Sequence, residues 1–242
     1  MARGAVSVDE APWILEANDR PVAVGTYTPH DAESLGVGRL IAEGFLVERE
    51  DLHAIEAVIL DPGVTLIRAH VSPLRSLEAE QERWHRAERG CGLLHFTVCS
   101  PEILRRDRRT DLPPSTVFPD LFRRLSRSTD ERYPGGGMHA AALCDGSALF
   151  HQNEDVGRHN TVDRAIGAGW RVGRDLSTMG LVLSARVSAQ IALSAARAGL
   201  AWVASRSVAT TLAIAIAETA NLPIVGRAAG PAATRFTTVE KS

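Results

Sequence analysis

Residues 133–163 read YPGGGMHAAALCDGSALFHQNEDVGRHNTVD, and this stretch sets the terms for the rest of the chain. Met138 to Leu143 is a short apolar run and Ser147 to His151 another, joined by Cys144-Asp145-Gly146, a turn of the Asp-Gly type. The pattern predicts a hairpin whose open end carries Gly135, Gly136 and Gly137 on one strand and Glu154-Asp155 on the other. Consecutive glycines let the backbone take positive φ, and the N–H groups of such a turn form an anion-binding concavity. After Gly157, Val162, Ala165 and Ile166 fall at helical spacing, so Asp155 or a neighbour caps a helix whose N-terminal end also favours anions. His139, Arg158 and His159 join the same junction, which makes it a candidate phosphate site. The competing reading is a flexible Gly-rich linker followed by an ordinary capped helix.

Downstream, short apolar runs alternate with helical patterns: Leu181–Leu183, then Ala189–Arg197 stopped by Gly199, Ala201–Ala204, Ala209–Thr219 and Ile224–Gly226. Such alternation implies βαβ units with right-handed crossovers and a mainly parallel portion of sheet. Ligands of such sheets sit beyond the carboxyl ends of the strands. Ser184-Ala185-Arg186 and Ser205-Arg206-Ser207 occupy those ends, offering bidentate guanidinium donors and hydroxyls to a phosphorylated ligand.

Upstream, Trp13, Leu15 and Ala17 alternate before Asn18-Asp19, and Val22 to Tyr27 returns, which predicts a hairpin. Thr28-Pro29-His30-Asp31 reads as the entry to a helix that stops at Gly44, and Ile55–Leu60 with Val64–Val71 form a second hairpin. This half reads as α+β with antiparallel pairing. Ser115 to Arg127, with Val117, Leu121, Phe122 and Leu125, is a further helix. Between lies Arg89-Gly90-Cys91-Gly92, where a cysteine flanked by glycines and preceded by arginines suits a loop thiolate. Cys99 and Cys144 read as packing residues. Cys91, His95 and Cys99 recur every four residues, but Gly90 and Gly92 oppose a helix and no fourth ligand is evident, so no metal site is assigned.

The 242 residues, 45% hydrophobic and 23% charged, suffice for one large or two small domains with a real core. A net charge of −2 argues against bulk nucleic-acid affinity. No apolar run of membrane-spanning length and no signal-peptide pattern is evident. Three cysteines give no disulfide framework, so a reducing cytoplasm is the expected compartment.

The run EDVGRHNTVD at 154–163, with GGMHAAAL before it, resembles the signature of the FdhD family, accessory sulfurtransferases of formate dehydrogenase. The similarity extends to EAPWILEANDRPVAVGTYTPHDAESLGVGRLIAEGFL upstream and to the segment from Ser184 to Arg227 downstream. The resemblance implies a cytidine-deaminase-like α/β fold with mixed sheet in residues 131–242, preceded by an α+β region in 1–130 that carries the cysteine loop. It implies a homodimer that takes persulfide sulfur from a cysteine desulfurase and passes it to the molybdenum cofactor, in its bis-molybdopterin guanine dinucleotide form, for a formate dehydrogenase-type molybdoenzyme. Cys91 would carry the sulfur. Gly135, Gly136, Gly137, His139, Glu154, Asp155, Arg158, His159, Ser184, Arg186, Ser205 and Ser207 would hold the cofactor or a guanine nucleotide.

The chain departs from the family pattern at several places. Leu94 stands where the family's Cys-Gly-x-Cys-Gly loop has its second cysteine, Ala185 stands for glycine, Gln190 for glutamate, and Ser207-Val208-Ala209-Thr210 for Ser-Ala-Pro-Thr. Gly226-Arg227 replaces Gly-Phe. Two other readings therefore stay open: a paralogue that binds cofactor or nucleotide without sulfur transfer, and a Cys/His enzyme of altered reaction on the same fold.

Overall fold

The structure, a computed structural model, describes residues 7–60, 63–73 and 112–237. The expected first hairpin forms from β1 (Ala11–Ala17) and β2 (Arg20–Tyr27). Its turn residues Asn18 and Asp19 both take positive φ, 49° and 60°, the geometry a two-residue hairpin requires. Helix α1 (Ala32–Glu43) starts where Asp31 accepts a hydrogen bond from the Ser34 amide and stops at Gly44, whose φ of 80° closes the helix. Strands β3 (Leu52–Leu60) and β4 (Val64–Val71) pair antiparallel. The two hairpins join into one sheet, β2-β1-β4-β3, through a parallel β1–β4 pairing. The antiparallel reading of this half is thus corrected at its centre. Leu15 and Ala17 of β1 face Ile67 and Ala69 of β4 in register, and all four are buried, so a shared apolar face sets that junction.

Helix α2 (Phe118–Arg132) runs five residues further than its spacing predicts and packs Phe118, Leu121, Phe122 and Leu125 onto the second sheet. That sheet contains β5 (His139–Cys144), β6 (Leu149–Asp155), β7 (Gly180–Leu183), β8 (Trp202–Ser205), β9 (Ile224–Gly226) and β10 (Thr234–Arg235), in the order β10-β9-β8-β7-β5-β6. Helices α3 (Arg158–Arg171), α4 (Ala189–Arg197) and α5 (Thr211–Thr219) follow β6, β7 and β8. The fold is a mixed α/β structure, with β7, β8 and β9 parallel as the βαβ pattern predicts.

The core that covers this sheet is continuous with that of the first one, drawing Leu35 and Val37 of α1, Ile67 of β4, Ile166 of α3 and Leu183 of β7 into one cluster. Helices α1 and α3 cross within backbone contact. A Cβ at Gly38 would lie 1.7 Å from the Asp163 carbonyl oxygen, and one at Gly167 would lie 1.9 Å from that of Ser34. Only glycine permits this approach. Cys144 is fully buried, and burial pushes its thiol up to about 11, in line with a packing role.

Candidate functional site: an arginine-lined strand edge

Strand directions decide where the site lies. β5 runs antiparallel to both β6 and β7, so β6, β7, β8 and β9 all point the same way and β5 begins where they end. His139 pairs with Asp155, Ala141 with Leu183, and Leu183 with Ser205. One edge therefore collects the Gly135–Gly137 turn before β5, Arg158 after β6, Ser184 and Arg186 after β7, Arg206 and Ser207 after β8, and Arg227 after β9. Helices α3, α4 and α5 also begin at this edge, so their N-terminal partial positive charges add to it.

The arginines there differ from the others in what they touch. Elsewhere, Arg39, Arg68, Arg123, Arg124, Arg127, Arg132, Arg164 and Arg171 have carboxylate partners. Arg49 and Arg174 stack on Trp170 and Phe150. Among the described residues, the side chains of Arg158, Arg186, Arg206 and Arg227 have neither an ion-pair partner nor a hydrogen bond. The Nε of Arg158 is buried without a partner. Unpaired guanidiniums gathered on one edge, with α-helix N-termini behind them, present the kind of donors that phosphate or another oxyanion accepts from.

A cleft of about 110 Å³ opens at the same edge between α2 and the strand ends. Phe122, Leu125, Met138 and Ala140 give it an apolar side, and Ser126, Thr129, Asp130, Ser184 and Arg206 a polar one. The Gly-rich turn is exposed. Gly136 and Gly137 have φ of 74° and 84°, and a Cβ at either would meet nothing within 4 Å. The positive φ, rather than crowding, is what requires glycine there.

His139 and His159 lie beside Arg158, and both are held neutral. Burial, then the Arg158 charge, lowers His139 below the usual histidine range. The same causes, with Arg39 and His139 adding, bring His159 down to about 4. His159 Nε2 lies 3.0 Å from the Ser188 hydroxyl, which also caps α4.

Other sequence-predicted residues hold the edge together from behind. Asp155 is fully buried: its Oδ2 accepts from the Thr28 amide at 3.0 Å and Arg164 Nη2 at 2.8 Å, and its Oδ1 from the Gly157 amide and Asn160 Nδ2, each at 2.8 Å. That carboxylate clasps the β2–α1 turn to the β6–α3 turn. The Asp155–Arg164 pair, which spacing alone did not suggest, is its centre. Glu154 accepts from Arg132 at 2.8 Å, Thr129 at 3.2 Å and Gln152 at 2.9 Å, which pins the end of α2 to β6. Ser205 is buried, donating to the Ala185 carbonyl and accepting from the Ser207 amide. The Ser184 hydroxyl accepts from the Ala140 amide. Arg158, Arg186, Ser207 and the glycines are thus brought to the open edge, while Glu154, Asp155 and Ser205 support it. Arg227 was absent from the sequence-derived candidates; the strand-end rule that selected Arg186 applies to it as well. Cys91, His95 and Cys99 lie outside the described residues.

Comparison with known proteins agrees with this architecture. The FdhD/NarQ family model matches residues 8–242. A protein of Variovorax paradoxus called "Sulfur carrier protein FdhD" is 33% identical over 227 residues, covering 90% of this chain and 79% of its own. One of the same name from Streptomyces coelicolor is 33% identical over 247 residues, covering 92% and 86%. A crystal structure of a candidate formate dehydrogenase accessory protein from Desulfotalea psychrophila superposes with a TM-score of 0.71 at 20% identity, covering 96% of this chain and 88% of that one. With a family model spanning nearly its whole length and relatives at a third identity, this chain belongs to the FdhD/NarQ family.

Proposed function

We propose that this protein is a sulfur carrier that takes sulfur at Cys91 from a cysteine desulfurase and delivers it to a molybdenum cofactor in its guanine dinucleotide form, for a formate dehydrogenase-type enzyme. The observation that carries the cofactor half is the edge of unpaired arginines beside a half-apolar cleft. A dinucleotide cofactor brings phosphates for the guanidiniums and flat rings for the cleft, so the residues present fit such a cargo. The names of the relatives support the sulfur half.

In the first step the Cys91 thiolate attacks the outer sulfur of the desulfurase persulfide. A new S–S bond forms on Cys91, the old one breaks, and the desulfurase cysteine leaves as thiolate, so no external oxidant or reductant is needed. His139 and His159, being neutral, add no charge to the anion site. Arg158, Arg186 and Arg206 hold the cargo while the loaded sulfur is presented to it. The protein works as a homodimer in the cytoplasm.

A second reading, cofactor or nucleotide binding without sulfur transfer, is favoured by Leu94 at the position of the family's second loop cysteine. Intact mass after incubation with a cysteine desulfurase and cysteine separates the two. Sulfur relay predicts one sulfur adduct that Cys91→Ala abolishes; an unmodified wild-type protein leaves the binding role.

A further inference from the structure

Arg227 is held in a backbone conformation that does not suit it. Its φ is 52°, in the left-handed region that a side chain with a Cβ enters only against steric resistance. Its amide donates to the Ser207 carbonyl at 2.6 Å, and the next amide, of Ala228, donates to the Ser205 carbonyl at 3.0 Å. The bend is therefore fixed by backbone bonds that any residue would make. Its side chain is exposed and has no partner among the described residues. Neither conformation nor packing asks for arginine at this position, and glycine would serve the fold better.

What the position offers is proximity to Arg206. β8 and β9 are neighbouring parallel strands, Arg206 and Arg227 are the first residues beyond them, and the Arg227 amide bonds the carbonyl of Ser207, the residue next to Arg206, so the two arginines are rooted on adjoining backbone. Two free guanidiniums rooted this closely have more donor capacity than one phosphate monoester uses, and suit two linked phosphate groups.

We propose that Arg227 is a specificity-determining residue, which together with Arg206 makes this edge select a diphosphate-bearing ligand over its monophosphate counterpart. This rests on the reading of the edge as the cofactor's phosphate site and adds the residue that sets how many phosphates are required. The pair acts through donor number: a diphosphate engages both guanidiniums, a monophosphate one of them.

The test is calorimetric titration of the full-length protein with guanosine diphosphate and, separately, guanosine monophosphate, in wild type, Arg227→Gly and Arg227→Lys. Arg227→Gly relieves the backbone, so its melting temperature should match or exceed that of wild type and loss of binding is not loss of fold. The expected result is a roughly tenfold fall in the diphosphate-to-monophosphate affinity ratio in Arg227→Gly, with the diphosphate taking the larger loss. Arg227→Lys should recover part of the ratio through charge alone. An unchanged ratio in Arg227→Gly, or an equal loss for both ligands, overturns the assignment while leaving the phosphate site standing. A wild-type protein that binds neither ligand overturns the phosphate site itself and the inference with it.

Discussion

At the scale of single residues, buried charge governs both stability and site chemistry. Asp155 and Arg164 are at most 1% exposed and hydrogen-bonded on both sides. Removing one partner leaves the other charged in the interior, so Arg164→Met should lower unfolding free energy by about 3–5 kcal/mol in urea titration. Asp163 differs. Arg39 Nη2 approaches its Oδ2 at 2.8 Å, but without hydrogen-bond geometry, and burial raises the carboxyl to about 6. Because this folded value lies above the ordinary 3.8, the native state binds the extra proton between about pH 4 and 6, and Asp163 costs stability as pH rises through that window. His159, lowered from 6.5 to about 4, works in the opposite direction: the unfolded chain takes up the proton first, so its contribution is present above pH 6.5 and lost as pH falls toward 4. Asp163→Asn should therefore steepen the loss of stability on acidification between pH 6 and 4, measured by denaturation at several pH values. Arg158 lowers both His139 and His159, so Arg158→Ala should raise the pKa of both imidazoles, read by NMR titration, and weaken guanine nucleotide binding. The sequence identified Arg158 by its neighbours, but gave no means of dividing Asp155, which braces the fold, from Arg186, which faces solvent. That division depends on Thr28, 127 positions away from Asp155.

At the scale of elements, local signals and long-range contacts separate cleanly. The Asn18-Asp19 turn, the Asp31 and Gly44 ends of α1 and the Ala189–Arg197 helix were legible because turn and cap chemistry lies within a few residues. The parallel β1–β4 pairing was not, since two hairpins in sequence say nothing about which of their strands meet. Nor was the α1–α3 crossing, for Gly38 and Gly167 read as weak points in helical patterns until their neighbours are known. Helix propensity and packing make opposite predictions there. In an isolated helix Gly→Ala gains about 1 kcal/mol. In the crossing the added methyl would lie 1.9 Å from the Ser34 carbonyl oxygen, and forcing the helices apart costs about 1–3 kcal/mol or more. Packing wins, so Gly167→Ala should lower the melting temperature, checked by calorimetry; a rise would mean the helices slide apart freely.

At the scale of the whole molecule, the sheet order that places four strand ends together also concentrates charge. The chain as a whole carries −2, with 29 acidic against 27 basic side chains, yet the edge described by Arg158, Arg186, Arg206 and Arg227 has no acid paired to it among the described residues. A local field of this kind acts on encounter as well as on the bound state. Association with a guanine nucleotide should therefore slow markedly as sodium chloride rises from about 0.05 to 0.5 M in stopped-flow measurements, where screening shortens from above 10 Å to below 5 Å. The same asymmetry carries over to handling on the bench. A protein whose overall titration recommends a positively charged resin at neutral pH should nonetheless be retained by phosphocellulose, oriented by one face, and be released from it by soluble diphosphate at concentrations too low to act as mere salt.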